Sequence, residues 1–134
     1  MGIFSAPLDL PDHETAAVKA AIEIQENIKA LNKTLLVPVA VGVGVNSGKA
    51  VVGNMGSASR FDYTAIGDAV NTGARLESAT KQVGVEILVG ATTAKKCGFM
   101  LKSLNPIEVK GKKDPLQVFT VEKVPSKDIK QDKE

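Results

Sequence analysis

Between residues 37 and 45 every odd position is valine, while the even positions carry only Pro38, Ala40, Gly42 and Gly44. A period of two with bulk on one side is the signature of a strand. The other side is nearly bare, which suits close approach of a helix, a second subunit or a ligand, and suits simple tight packing equally well. The alternation predicts a strand over 37–45. Ser47-Gly48 then offers a two-residue hairpin turn, so residues 49–54 are expected to return as its antiparallel partner. A third strand over about 60–66 would place Arg60, Asp62 and Thr64 on one face, with Phe61 and Tyr63 on the other.

Helical spacing governs the segments on either side. Asp12 stands where an N-cap belongs, and Ala17, Ala21, Ile24, Ile28 and Leu31 recur at spacings of three and four. This predicts an amphipathic helix over roughly 13–32, with Lys19, Glu23, Glu26 and Lys29 toward water. Gly67-Asp68 ends the third strand and opens a second helix, with Asp68 able to cap its free amides and Asn71 and Arg75 one turn apart on a single face. Gly84 closes that helix, residues 85–89 read as a strand, and 92–97 as a short helix before Gly98. Two last strands, about 107–110 and 116–121, flank the turn Gly111-Lys112-Lys113-Asp114-Pro115. Residues 1–5 are apolar and short, and read as the end of a strand.

The 134 residues, 43% of them hydrophobic, suit one domain with one core. The net charge of +2 comes with no basic run long enough for a nucleic-acid stripe. Cys97 is the only cysteine and reads as a packing residue, and His13 is the only histidine, which excludes a metal site built on histidines. The longest apolar stretch, 35–45, is far too short to span a membrane, and the N-terminus lacks the pattern of a signal peptide, so a cytoplasmic protein is expected. The sequon Asn32-Lys33-Thr34 is then coincidental. Residues 124–134 read as a charged tail or linker after a domain over 1–123.

The region from 43 to 78 mixes glycines, small polar residues, three asparagines and two arginines, a composition suited to a phosphate-bearing ligand. Two common phosphate motifs do not fit it. Gly48-Lys49-Ala50 imitates the end of a P-loop, yet position 43 is valine rather than glycine and Ala50 has no hydroxyl for magnesium. Gly42 and Gly44 miss the third glycine of a dinucleotide fingerprint. An RNA-recognition module is excluded by an aromatic content of only 4%.

The run Gly53-Asn54-Met55-Gly56-Ser57, then residues 60–71 reading RFDYTAIGDAVN, then Ala74-Arg75-Leu76-Glu77, closely resembles the second half of class III adenylate and guanylate cyclase catalytic domains. Phe4-Ser5-Ala6-Pro7 with Asp12-His13, and Val109-Lys110-Gly111-Lys112, extend the resemblance to about residues 1–122. It implies an α+β fold, a ferredoxin-like antiparallel sheet with helices on one face, N-terminally truncated. It implies an intracellular signalling enzyme that converts ATP, or GTP, to a cyclic nucleotide and pyrophosphate. In such a reaction the ribose 3′-hydroxyl attacks the α-phosphorus, so negative charge growing on phosphoryl oxygens must be stabilised.

By motif position, the resemblance makes Asn71 the residue that orients the ribose and Arg75 the one that holds the α-phosphate in the transition state. A surface ion pair between Arg75 and Glu77 or Asp68 is the plainer alternative. Thr64 falls where the family selects the purine, and its hydroxyl both donates and accepts, so ATP is favoured without guanine being excluded. Lys110 matches a lysine that contacts the triphosphate and Arg60 assists it, with a solvated charge open for each; Asp62 reads as structural. The family's two metal-binding aspartates, ligands for Mg2+ or Mn2+, and its base-reading lysine belong to strands that precede Met1. The chain alone is therefore expected to be inactive, and the intact arrangement is a head-to-tail homodimer. A non-catalytic cyclase-homology module for pairing or regulation is the competing reading, disfavoured because Asn71 and Arg75 are both retained.

Overall fold

The computed structural model describes residues 1–57, 60–109 and 113–122, those at 57, 60 and 61 by their backbone only. In chain order the elements are α1 (His13–Asn32), β1 (Val43–Val45), β2 (Val51–Ser57), β3 (Arg60–Ile66), α2 (Asp68–Val83), β4 (Ile87–Gly90), α3 (Ala91–Lys96), β5 (Leu101–Ser103) and β6 (Val118–Val121). Four strands form one sheet in the order β1-β4-β6-β5, and β2 and β3 form a second, two-stranded sheet. The architecture is α+β as expected, but the larger sheet is mixed. β1 runs parallel to β4, and the β4–β6 and β5–β6 pairs are antiparallel.

Alternation along β4 distributes the core to two sides. Ile87 and Val89 join Val45 and the α1 residues Val18 and Ala21 in one buried cluster. Leu88 joins Leu76 and Ala79 of α2, with Val118, in the other. Helices thus cover both faces of the sheet, where one face was expected.

The bare face of the valine alternation is where α2 lies. A Cβ on Gly42 would strike the side chain of Thr80, and one on Gly44 would strike the backbone of Gly73 and Glu77. Of the three occupants that a bare face allows, the helix is the one present. The strand is shorter than the alternation implies, however: residues 37–42 lie outside it, and Val37, Val39 and Val41 are exposed.

Nor does β1 form a hairpin with the segment that follows. Asn46 Nδ2 donates to the carbonyl of Ala69 at 2.9 Å, the hydroxyls of Ser47 and Thr93 lie 2.7 Å apart, and Gly48 packs on Ala69. These ties draw the expected turn between α2 and α3. β1 pairs with β4, and β2 takes β3 as its antiparallel partner from Val51↔Ile66 to Ser57↔Arg60.

Helix α1 has the expected limits but presents a rotated face. Glu14, Val18, Ala21 and Gln25 are buried, while Ile24 and Leu31 are exposed. The cause is Gln25, whose Nε2 donates to the carbonyls of Val41 at 2.6 Å and Glu86 at 3.1 Å and so turns that side of the helix inward. Asp12 sits at the N-cap position, but its Oδ1 accepts from the Thr15 hydroxyl rather than from a backbone amide. Asp68 is likewise not the cap of α2. Gly67 holds that position, and Asp68 places an acid in the first turn, where the helix dipole favours it.

At the other end, Gly84 adopts the left-handed conformation, φ 82°, and its amide returns to the Thr80 carbonyl at 2.9 Å, as the stop signal predicts. The strand expected over 107–110 is reduced, among the described residues, to a single bridge between Ile107 and Leu116. β5 had no counterpart in the sequence reading, and residues 1–5 form no strand. No helix among the described residues is long and apolar enough to cross a membrane. The expected tail over 124–134 lies outside the described residues.

Candidate active site

Helix α2 carries the two residues singled out from the sequence. Asn71 and Arg75 are both exposed, and both line a cavity of about 390 Å³. The cavity follows α2 past Ala74, Ser78 and Ala79 to Gln82, and its opposite wall is Glu108 and Val109. Residues 71, 75, 78 and 82 are spaced four, three and four apart, which stacks them along one side of a helix. The two alanines keep the floor between them low. The other side of α2 is anchored by Leu76 in the core and by the close approach of Gly44 of β1, so the groove rests on a backbone that packing holds in place.

No ion pair or hydrogen bond engages the Arg75 side chain among the described residues, so the ion pair with Glu77 or Asp68 is not formed there. A guanidinium held at a cavity wall with its five donors unused is suited to a phosphate or carboxylate. Among the described residues the only acid in the lining is Glu108, across the groove. It was not identified from the sequence, because nothing in its local pattern places residue 108 opposite residue 75. Ser78 and Gln82 were also passed over, though their helical spacing from Arg75 was visible.

The other predicted residues are placed differently. Thr64 lies in the middle of β3, paired with Gly53 of β2, half-buried and outside the lining of this cavity. Arg60 begins the same strand, paired with Ser57. Lys110 lies outside the described residues, directly after two residues that line the groove. A second cavity of about 450 Å³, lined among others by Asn46, Lys49, Asp68 and Thr72, adjoins the first turn of α2, and among the described residues its lining includes none of the predicted ones.

No group of three or more histidine, cysteine, aspartate or glutamate side chains converges among the described residues. Among the described residues the groove offers one carboxylate, which does not make a divalent-metal site. Cys97 packs against the α1 cluster as a core residue. Its burial pushes the thiol above its ordinary value, the carboxylates of Asp12 and Glu14 push the same way, and the Phe99 amide, donating to Sγ at 3.4 Å, opposes them.

Residues 1–123 match the family model described as the adenylate and guanylate cyclase catalytic domain. An adenylate cyclase of Anabaena cylindrica is 35% identical over 118 residues, which is 78% of this chain and 24% of the relative. The chain thus spans about a quarter of that relative's length. Among solved structures, the adenylyl cyclase CyaB from P. aeruginosa superposes with a TM-score of 0.80 at 31% identity, over 91% of this chain and 66% of the other. The guanylyl cyclase Cya2 superposes with a TM-score of 0.76 at 31% identity, over 88% of this chain and 62% of the other.

Proposed function

The chain belongs to the family of adenylate and guanylate cyclase catalytic domains, and on that footing we propose that it carries the ribose and α-phosphate half of a nucleotidyl cyclase site acting on ATP. One observation carries the reading: Asn71 and Arg75 stand one helical turn apart on the wall of the same groove, with the guanidinium uncommitted among the described residues. Asn71 orients the ribose, and Arg75 meets the charge that grows on the α-phosphoryl oxygens as the 3′-hydroxyl attacks and pyrophosphate departs. Thr64 selects adenine from β3. Arg60 and Lys110 contact the triphosphate.

Cyclase catalytic domains in general use divalent metals, here Mg2+ or Mn2+, as Lewis acids. The described residues do not fit such an ion, so the steps assigned to this chain are binding, orientation and charge stabilisation. On this reading the chain is inactive by itself and works in a homodimer, a pairing that the exposed Val51, Tyr63 and Ile66 of the β2–β3 hairpin would favour.

The test is a cyclase assay with manganese and either ATP or GTP, on this chain alone and on a form extended by the family's two aspartate-bearing strands. The extended form is expected to make cyclic AMP and the chain alone none. Absence of any cyclic nucleotide from the extended form would sink the reading, and preference for GTP would overturn its choice of substrate.

A further inference from the structure

The second cavity, of about 450 Å³, lies against a different side of α2. Asp68, Thr72 and Leu76 reach its lining from that helix, each one turn from the next. Among the described residues none lines both this cavity and the groove of Asn71 and Arg75. Its size falls in the range of small-molecule sites. Two charges line it among those residues, the ammonium of Lys49 and the carboxylate of Asp68. No ion pair engages Lys49 there, so a base and an acid share one cavity without closing on each other.

Thr72 gives an independent sign of an occupant. Only 7% of it is exposed, and its side chain has no hydrogen bond among the described residues. No buried polar side-chain atom among them is sealed without a partner, so the Thr72 hydroxyl opens to the cavity that the residue lines. A hydroxyl so deeply placed and unpartnered calls for a hydrogen bond from a ligand. Leu76, Pro115 and Leu116 give the same cavity an apolar wall.

We propose that this cavity binds a small zwitterion, an α-amino acid with an apolar side chain. The carboxylate meets Lys49 and the Thr72 hydroxyl, the ammonium meets Asp68, and the side chain lies against the leucines and Pro115. A simple anion would gain Lys49 and be opposed by Asp68, and a simple cation the reverse; a ligand with both charges pairs with each. Asp68 has a further interaction of its own, and a carboxylate accepts from several donors at once. The assignment stands apart from the nucleotide reading, because it uses other residues and another side of the helix.

Calorimetric titration of the 134-residue chain with leucine, isocaproate and isoamylamine tests this, the last two being leucine without its ammonium and without its carboxylate. Leucine is expected to bind about tenfold tighter than either. Lys49→Gln is expected to abolish the difference between leucine and isoamylamine, and Asp68→Asn the difference between leucine and isocaproate. Thr72→Val, which keeps the shape and removes the hydroxyl, is expected to weaken leucine about fivefold. Lys49 and Asp68 are exposed, and circular dichroism checks that each variant keeps the fold. Inorganic phosphate is the competing probe, and tighter binding of phosphate than of leucine would make this an anion site and overturn the proposal. Equal binding of leucine and its two truncated forms, or no binding of leucine at millimolar concentration, overturns it as well.

Discussion

Gly44 of β1 lies directly against the backbone of Glu77 in α2, so close that no Cβ fits between strand and helix. Gly44→Ala therefore forces backbone against backbone, a clash that no rotamer change relieves. Overpacking of this kind costs about 1–3 kcal/mol, and the rigid neighbour puts this site at the upper end. Urea denaturation is expected to show the loss, while Gly53→Ala, where a Cβ meets nothing within 4 Å, is expected to stay within about 0.5 kcal/mol of the unmodified chain.

Arg75→Ala, made in an active form that includes this domain, is expected to lower turnover by about 10²–10³ and to change ATP affinity by less than about fivefold. Arg75→Lys recovers only part of the loss, because an ammonium lacks the planar fork of the guanidinium. Steady-state kinetics beside direct nucleotide binding measures the split. Equal losses in the two would contradict a role in the transition state.

Glu108→Gln removes the one acid that the described residues give the groove wall. ATP is expected to bind about two- to threefold tighter, with the gain disappearing at high salt as an exposed charge effect must. Titrations at two ionic strengths check it, and an unchanged affinity at low salt would place the phosphates elsewhere.

Gln25 is almost fully buried and holds two carbonyls from different segments. Gln25→Ala leaves the Val41 carbonyl without that donor and is expected to cost about 2 kcal/mol in urea unfolding. Gln25→Glu presents a carboxylate to the same two oxygens. Its loss is expected to be larger at neutral pH and to diminish as the pH falls and the side chain gains a proton.

The raised Cys97 thiol sets a pH dependence. Less of it is ionised at a given pH than of an ordinary cysteine, so iodoacetamide is expected to modify it slowly near neutrality. Its rate should go on climbing at pH values where a free cysteine has levelled off. Asp12→Asn removes one of the charges that raise it and is expected to shift the profile downward.

Local periodicity carried the helices and the third strand. The limits of α1 and β3 agree with the sequence reading, and Asn71 and Arg75 share a face because four residues make only slightly more than a full turn. Pairing was less legible. Ser47-Gly48 has the chemistry of a hairpin turn, but side-chain ties from Asn46 and Ser47 to residues 69 and 93 decide the path of the chain, and those partners are distant in sequence. β5 spans three residues, too few for a period of two to register. The far wall of the groove was hidden for a similar reason, since Glu108 reaches it through the fold and not through spacing.

Among the described residues the β2–β3 ribbon is a sheet of its own, with no strand of the larger sheet paired to it, and Thr64 sits in its middle. Asn71 and Arg75 ride instead on a helix fastened to the larger sheet. On the proposed reading, choice of base and handling of the α-phosphate are therefore mounted on modular parts. Natural drift, or an engineer, can retune the ribbon toward a different purine while the machinery for cyclisation keeps its alignment.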